Sequence, residues 1–203
     1  MSDLFPGEQT LVEQARRDPR AFGRLFDRYH DDILNYILHR TANVHLAQEL
    51  TSNTFFKALK KLWQFRWRGA PFSAWLYRIA SNEVNEYFRL NKRFPAVEIE
   101  SVHERLDDPG LASDREIIEA EAQVMQNAAF LELHAAISRL KPRYQEVVVL
   151  KYFENKKISE IGCITRKSEG TIKSLLHRAL KKLRAELETT GALQDIKIQF
   201  QPN

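Results

Sequence analysis

The chain has 203 residues, 43% hydrophobic and 29% charged, with a formal net charge of +4 at pH 7; this is ordinary globular composition with room for one medium core or two small ones. The longest aliphatic run, VVVL, is far too short to cross a bilayer, and the opening MSDLFPGEQTLVEQARR lacks the basic-then-apolar pattern of a secretory leader. A single cysteine, Cys163, excludes an internal disulfide or a cysteine-rich zinc site; it fits a reducing cytoplasm and reads as a small buried apolar residue.

Seven Gly and seven Pro are few for a turn-rich all-β chain, which favours helices. In chain order, DPRAFGRLFDRYHDDILNYILHR opens with Asp18 as a cap and Pro19 at the first helical position. Its apolar stripe is Phe22, Leu25, Phe26, Tyr29, Ile33, Tyr36 and Ile37. Asn43 caps a second helix, whose amphipathic pattern is Leu46, Ala47, Leu50, Phe55, Ala58, Leu59 and Leu62. Gly69 and Pro71 break it, and a third helix runs from about 71 to 93, where Pro95 ends it. Residues 96–129, with a D-D-P-G turn and dense acids, read as a linker. Short helices then follow at about 130–140, 142–153, 158–164 and 168–188. The tail, 191–203, alternates Ile196, Ile198 and Phe200 and supports no firm assignment. The expected fold class is all-α: two small helical domains, 1–95 and 130–190, joined by an acidic linker, the second containing a helix-turn-helix.

Charge is unevenly spread. Residues 1–95 carry 15 basic and 10 acidic groups, residues 96–132 carry 2 and 10, and residues 133–203 carry 14 and 7. Two basic ends around an acidic middle suit two nucleic-acid contacts joined by an acidic connector.

Two constellations carry that reading. Near the end, ISEIGCI and a helix starting at Ser168 flank a short turn, the layout in which a second helix enters the major groove. Arg166 and Lys167 in the turn, then Ser168, Glu169, Thr171, Lys173, Ser174, His177, Arg178 and Lys181, are placed for DNA. Spacing alone leaves a solvated basic helix equally open. In the first block Arg78, Asn82, Asn85, Arg89 and Lys92 step by 4, 3, 4 and 3 and share one helix face. Beside them Arg66, Trp67 and Arg68 interleave cation and aromatic on a loop suited to stacking unpaired bases; Trp67 and Tyr77 are equally consistent with core packing. The His residues form no metal-ligand spacing, no phosphate-cradling glycine loop exists, and no carboxylates converge. The reading is therefore of a protein without catalytic residues, metal or cofactor.

Together AFGRLFDRYHDDILNYILHR, AQELTSNTFFKALKKL, FSAWLYRIASNEVNEYFRLNKR and LKPRYQEVVVLKYFENKKISEIGCITRKSEGTIKSLLHRALKKLR resemble a bacterial sigma factor of the small, two-domain extracytoplasmic-function (ECF) group. The likeness covers about 9–94 (region 2) and 130–188 (region 4). It implies promoter-specific initiation with core RNA polymerase in the cytoplasm, without membrane insertion. Region 2 would open the minus-ten element as single strands and region 4 would read the minus-thirty-five element as duplex. AQELTSNTFFKA matches the helix that docks on the clamp helices of the largest polymerase subunit, so Glu49, Leu50, Thr51, Asn53, Thr54 and Phe55 would be polymerase contacts; the flap of the second-largest subunit and an anti-sigma protein are further implied partners. The loop at 66–72 matches the part that captures a flipped base, and Asn82 an Asn that helps opening; Tyr77 and Arg93 fall within the same DNA-facing stretch. The acidic linker would thread near the template or RNA path.

Several positions depart from the pattern. Relatives usually have Asp at Glu49 and Gln-Glu at Ser52-Asn53, Leu-Gly-Ile where Thr165, Arg166 and Lys167 stand, and often Arg at Leu175. Leu175 is open to two readings, a thymine-methyl contact or a packing residue. The rival functions are a free-standing helix-turn-helix regulator and a DNA-processing enzyme. The first leaves the AQELTSNTFFKA helix and the aromatic loop without a role; the second lacks acids to hold a metal.

Overall fold

A computed structural model describes residues 7–67, 70–91 and 128–190. All regular structure among them is helical. Helix α1 spans Glu8–Arg17, a 3-10 turn Pro19–Phe22, α2 Gly23–Thr41, α3 Val44–Lys61 and α4 Phe72–Asn91. The later unit holds α5 (Ala128–Arg139), α6 (Pro142–Val148), a π turn (Val149–Phe153), α7 (Ile158–Thr165) and α8 (Glu169–Thr190).

The expected caps form. Asp18 accepts from the Arg20 amide at 3.0 Å, and Asn43 from the Leu46 amide at 2.9 Å. The Asp18 cap starts a 3-10 turn, however, and α2 begins only at Gly23. Helix α1 is additional to the expected elements. It has a stripe of Leu11, Val12 and Ala15, all buried, and two polar anchors fix it. The Tyr29 hydroxyl donates to the buried Glu8 carboxylate, and Arg16 donates to the carbonyls of Leu62 and Phe65.

In the first unit Leu25, Ile33, Ile37, Ala47, Ala58, Phe72, Leu76, Ala80 and Val84 are buried. Lys57 of α3 grips both oxygens of Glu83 on α4, at 2.7 and 2.6 Å. In the second unit, Ile137, Val147, Val148, Leu150, Ile161, Ile172, Ala179 and Leu183 are buried. Gln145, fully buried, closes the α5–α6 turn by donating to the carbonyls of Ser138 at 2.9 Å and Leu140 at 3.0 Å. A buried amide nitrogen without such acceptors would be costly.

The two units pack on each other: α4 lies against α7, and α2 against the π turn and α5. A π turn widens a helix by one residue and re-aims the side chains that follow. Here the side chains at its end face the first unit: Phe153 packs on His39 and Glu154 accepts from Tyr77.

Candidate nucleic-acid and polymerase interface

The helix-turn-helix is built from a tight turn and a long amphipathic helix. Helix α7 ends on Arg166 in the left-handed region (φ 57°), and the Lys167 amide returns to the Gly162 carbonyl at 3.1 Å. A Cβ at Gly162 would lie 2.9 Å from the Lys167 carbonyl oxygen, so the close approach requires glycine there. Arg166, by contrast, occupies a backbone region that usually favours glycine. The turn thus carries a cation at a position where the backbone costs a non-glycine residue something. Ser168 then caps α8 by accepting from the Thr171 amide at 3.3 Å.

Helix α8 buries Ile172, Leu175, Leu176, Ala179, Leu183 and Leu187. Leu175 is therefore a packing residue, which closes the thymine-methyl reading. Arg166, Lys167, Ser168, Glu169, Thr171, Lys173, Ser174, His177, Arg178 and Lys181 are all exposed, on the turn and the outer face. Arg178 is braced by its own helix, donating to the Ser174 carbonyl and hydroxyl at 3.1 Å each. Cys163 is half-buried rather than buried, and its carbonyl faces α4.

The face of α4 is mixed. Asn82 and Arg89 are exposed, while Arg78 and Asn85 are half-buried. Asn85 accepts from the buried Arg40 at 3.0 Å. Arg78 donates to the carbonyls of Ile164, at 3.0 Å, and Cys163. Burial, then the nearby Arg166 charge, holds the Arg78 guanidinium below its ordinary value. Arg78, Ser81, Asn82, Asn85, Arg166 and Lys167 thus line one cleft between the units. Tyr77 does not reach this surface. It is 1% exposed and donates to Glu154 at 2.8 Å, so burial and that carboxylate push its hydroxyl up. Arg66 is exposed and bonded to the Trp63 carbonyl at 2.6 Å. Trp67 is half-buried, edge-on to Phe65 at 4.8 Å, so most of its ring belongs to the core. Arg68, Lys92, Arg93, the linker from 96 to 127 and the tail from 191 lie outside the described residues.

On α3 the polymerase contacts implied by the resemblance divide between the two sides of the helix. Leu50, Thr51, Thr54 and Phe55 are buried, at 5% exposure or less. They pack inside the first unit, with Phe55 against Phe22 and Phe26, so they are not presented on the surface of this fold. Glu49 and Asn53 do face outward, together with Ser52. Beside them Phe56, Leu59 and, past the helix end, Trp63 are exposed at 59%, 38% and 66%; Leu59, which the apolar pattern counts among the buried positions, thus lies at the surface. Their spacing of three and four places them on one side. A signal for this exists in the sequence: positions 46, 47, 50, 51, 54, 55 and 58 complete one buried face, which leaves Phe56 outside it.

Among the described residues no His, Cys, Asp and Glu cluster could hold a metal ion, and no helix is long and apolar enough to cross a membrane.

Comparison with known proteins decides the family. The model of Sigma-70 region 2 matches residues 25–94, and that of Sigma-70 region 4 matches 130–183. The ECF RNA polymerase sigma factor SigW of Bacillus subtilis is 31% identical over 182 residues, covering 87% of this chain and 94% of SigW. The chain belongs to the sigma-70 family, in its ECF group. The ECF RNA polymerase sigma factor BldN of Streptomyces coelicolor is 36% identical over 174 residues, which cover 85% of this chain but 63% of BldN. The fold matches that of CnrH, solved in complex with the cytosolic domain of CnrY, at a TM-score of 0.61 and 21% identity over 91% of this chain and 99% of that one. It also matches RpoE from Bartonella quintana, solved with the anti-sigma factor NepR, at 0.58 and 19% over 82% and 96%. At these identities the structural likeness concerns the fold alone. As an ECF sigma factor the chain is a DNA-binding initiation factor and not an enzyme.

Proposed function

We propose that this sigma factor divides initiation between its two units, region 2 melting the minus-ten element and region 4 reading the minus-thirty-five duplex. The observation that carries the division is the contrast between the two surfaces. The α8 surface is a convex, fully exposed row headed by a helix N-terminus, the shape that enters a major groove. The α4 surface combines Arg78, Asn82, Asn85 and Arg89, cations and amides that suit the phosphates and base edges of an unstacked strand.

Polymerase docking is assigned to the outer side of α3, through Glu49, Ser52, Asn53, Phe56, Leu59 and Trp63. An apolar patch with polar neighbours suits a stable protein partner. Leu50, Thr51, Thr54 and Phe55 support this surface from inside. The solved complexes of CnrH with CnrY and RpoE with NepR support an anti-sigma protein as a further partner, and action in the cytoplasm alongside polymerase is part of the same proposal.

Reconstitution with core RNA polymerase on promoter fragments tests the reading. A specific transcript that depends on the chain, and falls at least tenfold with Phe56→Ala/Trp63→Ala, is expected. Absence of both a polymerase complex and a transcript would overturn it.

A further inference from the structure

We infer that helix α1 is a clamp on the loop between α3 and α4, with Arg16 fixing the start of the loop and Glu8 its end. Both act as positioning residues for capture of the unpaired minus-ten strand. The inference rests on the reading of region 2 as the strand-opening unit, and it gives a task to a helix that this reading leaves without one. Helix α1 lies wholly before residue 25, where the match to Sigma-70 region 2 begins.

The loop leaves the 3-10 turn Leu62–Gln64 at Phe65 and enters α4 at Phe72. Its two ends meet: the Phe65 and Phe72 rings, 3% and 0% exposed, stand edge-on at 5.4 Å. Ring contact fixes the separation of the ends better than the direction of the backbone. Direction comes from hydrogen bonds, which weaken steeply off axis, and α1 brings polar groups to both ends.

At the start, Arg16 donates through Nε to the Leu62 carbonyl at 3.4 Å and through a terminal nitrogen to the Phe65 carbonyl. The planar fork of donors holds the two carbonyls in a fixed relation. At the end, Glu8 is 1% exposed and accepts from the Tyr29 hydroxyl, and the Tyr29 ring lies 5.7 Å from that of Phe72. Burial raises the pKa of the Glu8 carboxyl against the Tyr29 hydroxyl and the Phe72 backbone amide, which favour its charged form. The carboxylate thus lies where the start of α4 presents unpaired N–H groups and partial positive charge. Its Oε2 is buried with no hydrogen-bond partner among the described residues. That is a cost an apolar residue would avoid if α1 only packed.

Arg66 shows what the clamp does. It is the exposed first residue after Phe65, and it donates to the carbonyls of Trp63 at 2.6 Å and Phe65 at 3.0 Å. The Phe65 carbonyl therefore has two cationic donors, Arg16 from α1 and Arg66 from the loop. When Arg66 turns to a phosphate of the strand, Arg16 still satisfies that carbonyl, so a buried backbone group is not left unpaired. Repulsion between the two guanidinium groups also favours the release of Arg66. Without Arg16, the cation of the loop is retained by its own backbone.

Two measurements on the full chain test the clamp. Arg16 is exposed, so Arg16→Ala opens no cavity, and Glu8→Gln keeps an acceptor for Tyr29. In the chain alone, hydrogen exchange should quicken about fivefold or more at the Phe65 amide in Arg16→Ala and at the Phe72 amide in Glu8→Gln, with α8 unchanged in both. Unchanged exchange at both ends overturns the clamp.

The second measurement uses core polymerase and a forked promoter fragment whose minus-ten segment is single-stranded. Arg16→Ala should bind the fork about tenfold less tightly, since affinity scales with the fraction of loops free to capture the strand. It should bind an upstream duplex fragment as tightly as the native chain does. Arg16→Ala/Arg66→Ala should fall within about twofold of Arg66→Ala alone, because Arg16 acts through Arg66. Fork and duplex binding that weaken together would make α1 a packing element only, and losses that multiply in the double variant would make Arg16 a strand contact itself; either result overturns the clamp. A native chain that captures no fork contradicts the sigma-factor reading instead, and the exchange comparison then judges the clamp separately.

Discussion

Tyr77 and Glu154 lie 77 positions apart and share a 2.8 Å hydrogen bond across the seam between regions 2 and 4. The tyrosine is 1% exposed and meets Tyr36 edge-on at 5.2 Å on its other side. Tyr77→Phe keeps that packing and removes the bond, so urea denaturation should show a loss of about 1 kcal/mol. Tyr77→Ala should cost about 3–5 kcal/mol, because the cavity adds to the lost burial. Equal effects of the two would mean that packing at this site contributes little.

The division of labour between the DNA surfaces predicts separable defects. Asn82→Ala should reduce strand opening about tenfold or more while leaving closed-complex affinity within about twofold, as a group used only after melting would. Lys173→Ala or Arg178→Ala should weaken binding to an upstream duplex by about 1–3 kcal/mol if the lost contact is to a base, and more uniformly if to a phosphate. Gel-shift and permanganate assays on one promoter distinguish the steps.

The turn before α8 makes two predictions at once. Arg166→Gly places glycine at a φ of 57° and should stabilise the chain by about 0.5–1 kcal/mol in thermal denaturation. With Lys167→Ile added, the salt slope of upstream-duplex binding should fall by about two, one for each lost phosphate contact. A stabilised chain with an unaltered slope would show that these cations only line the turn.

Gly162→Ala should act oppositely. Its Cβ would meet the Lys167 carbonyl at 2.9 Å, and a backbone atom cannot swing away as a side chain can. A loss of about 1–3 kcal/mol in stability, with weaker duplex binding, is expected.

His39 and His134 make the seam sensitive to acid. Their rings stack at 5.4 Å and 15°, and burial holds them down to about 4 and about 3, against an ordinary 6.5. For a depressed base, stability is intact above 6.5 and is lost as pH falls toward the folded-state value, since only the unfolded chain takes up protons readily. His39 should account for about 2–3 kcal/mol between pH 7 and about 4.5. The urea midpoint of the chain should therefore fall further than that of His39→Leu as pH drops through that window. Parallel curves would show the histidines to be solvated.

Much of the fold is legible in the sequence itself. Asp18, Asn43 and Ser168 mark helix starts by local capping chemistry, and Ile161, Ile164 and Ile172 mark buried sides by period alone. What the sequence hides depends on long-range packing. Helix α1 shows only a short stripe, anchored by Glu8 on Tyr29. Leu59 continues the apolar pattern of α3, and only packing in three dimensions leaves it at the surface beside Phe56. The contacts of Tyr77, Arg78 and Ser81 with partners 65 to 86 positions away have no local signature.

The most direct measurement is permanganate reactivity of promoter thymines in the minus-ten element with core polymerase, with and without the chain. Reactivity that appears only when the chain is present, and drops with Asn82→Ala, is the predicted result. Thymines that remain unreactive at every promoter bound by the complex, or that react equally without the chain, would contradict a region 2 that opens DNA.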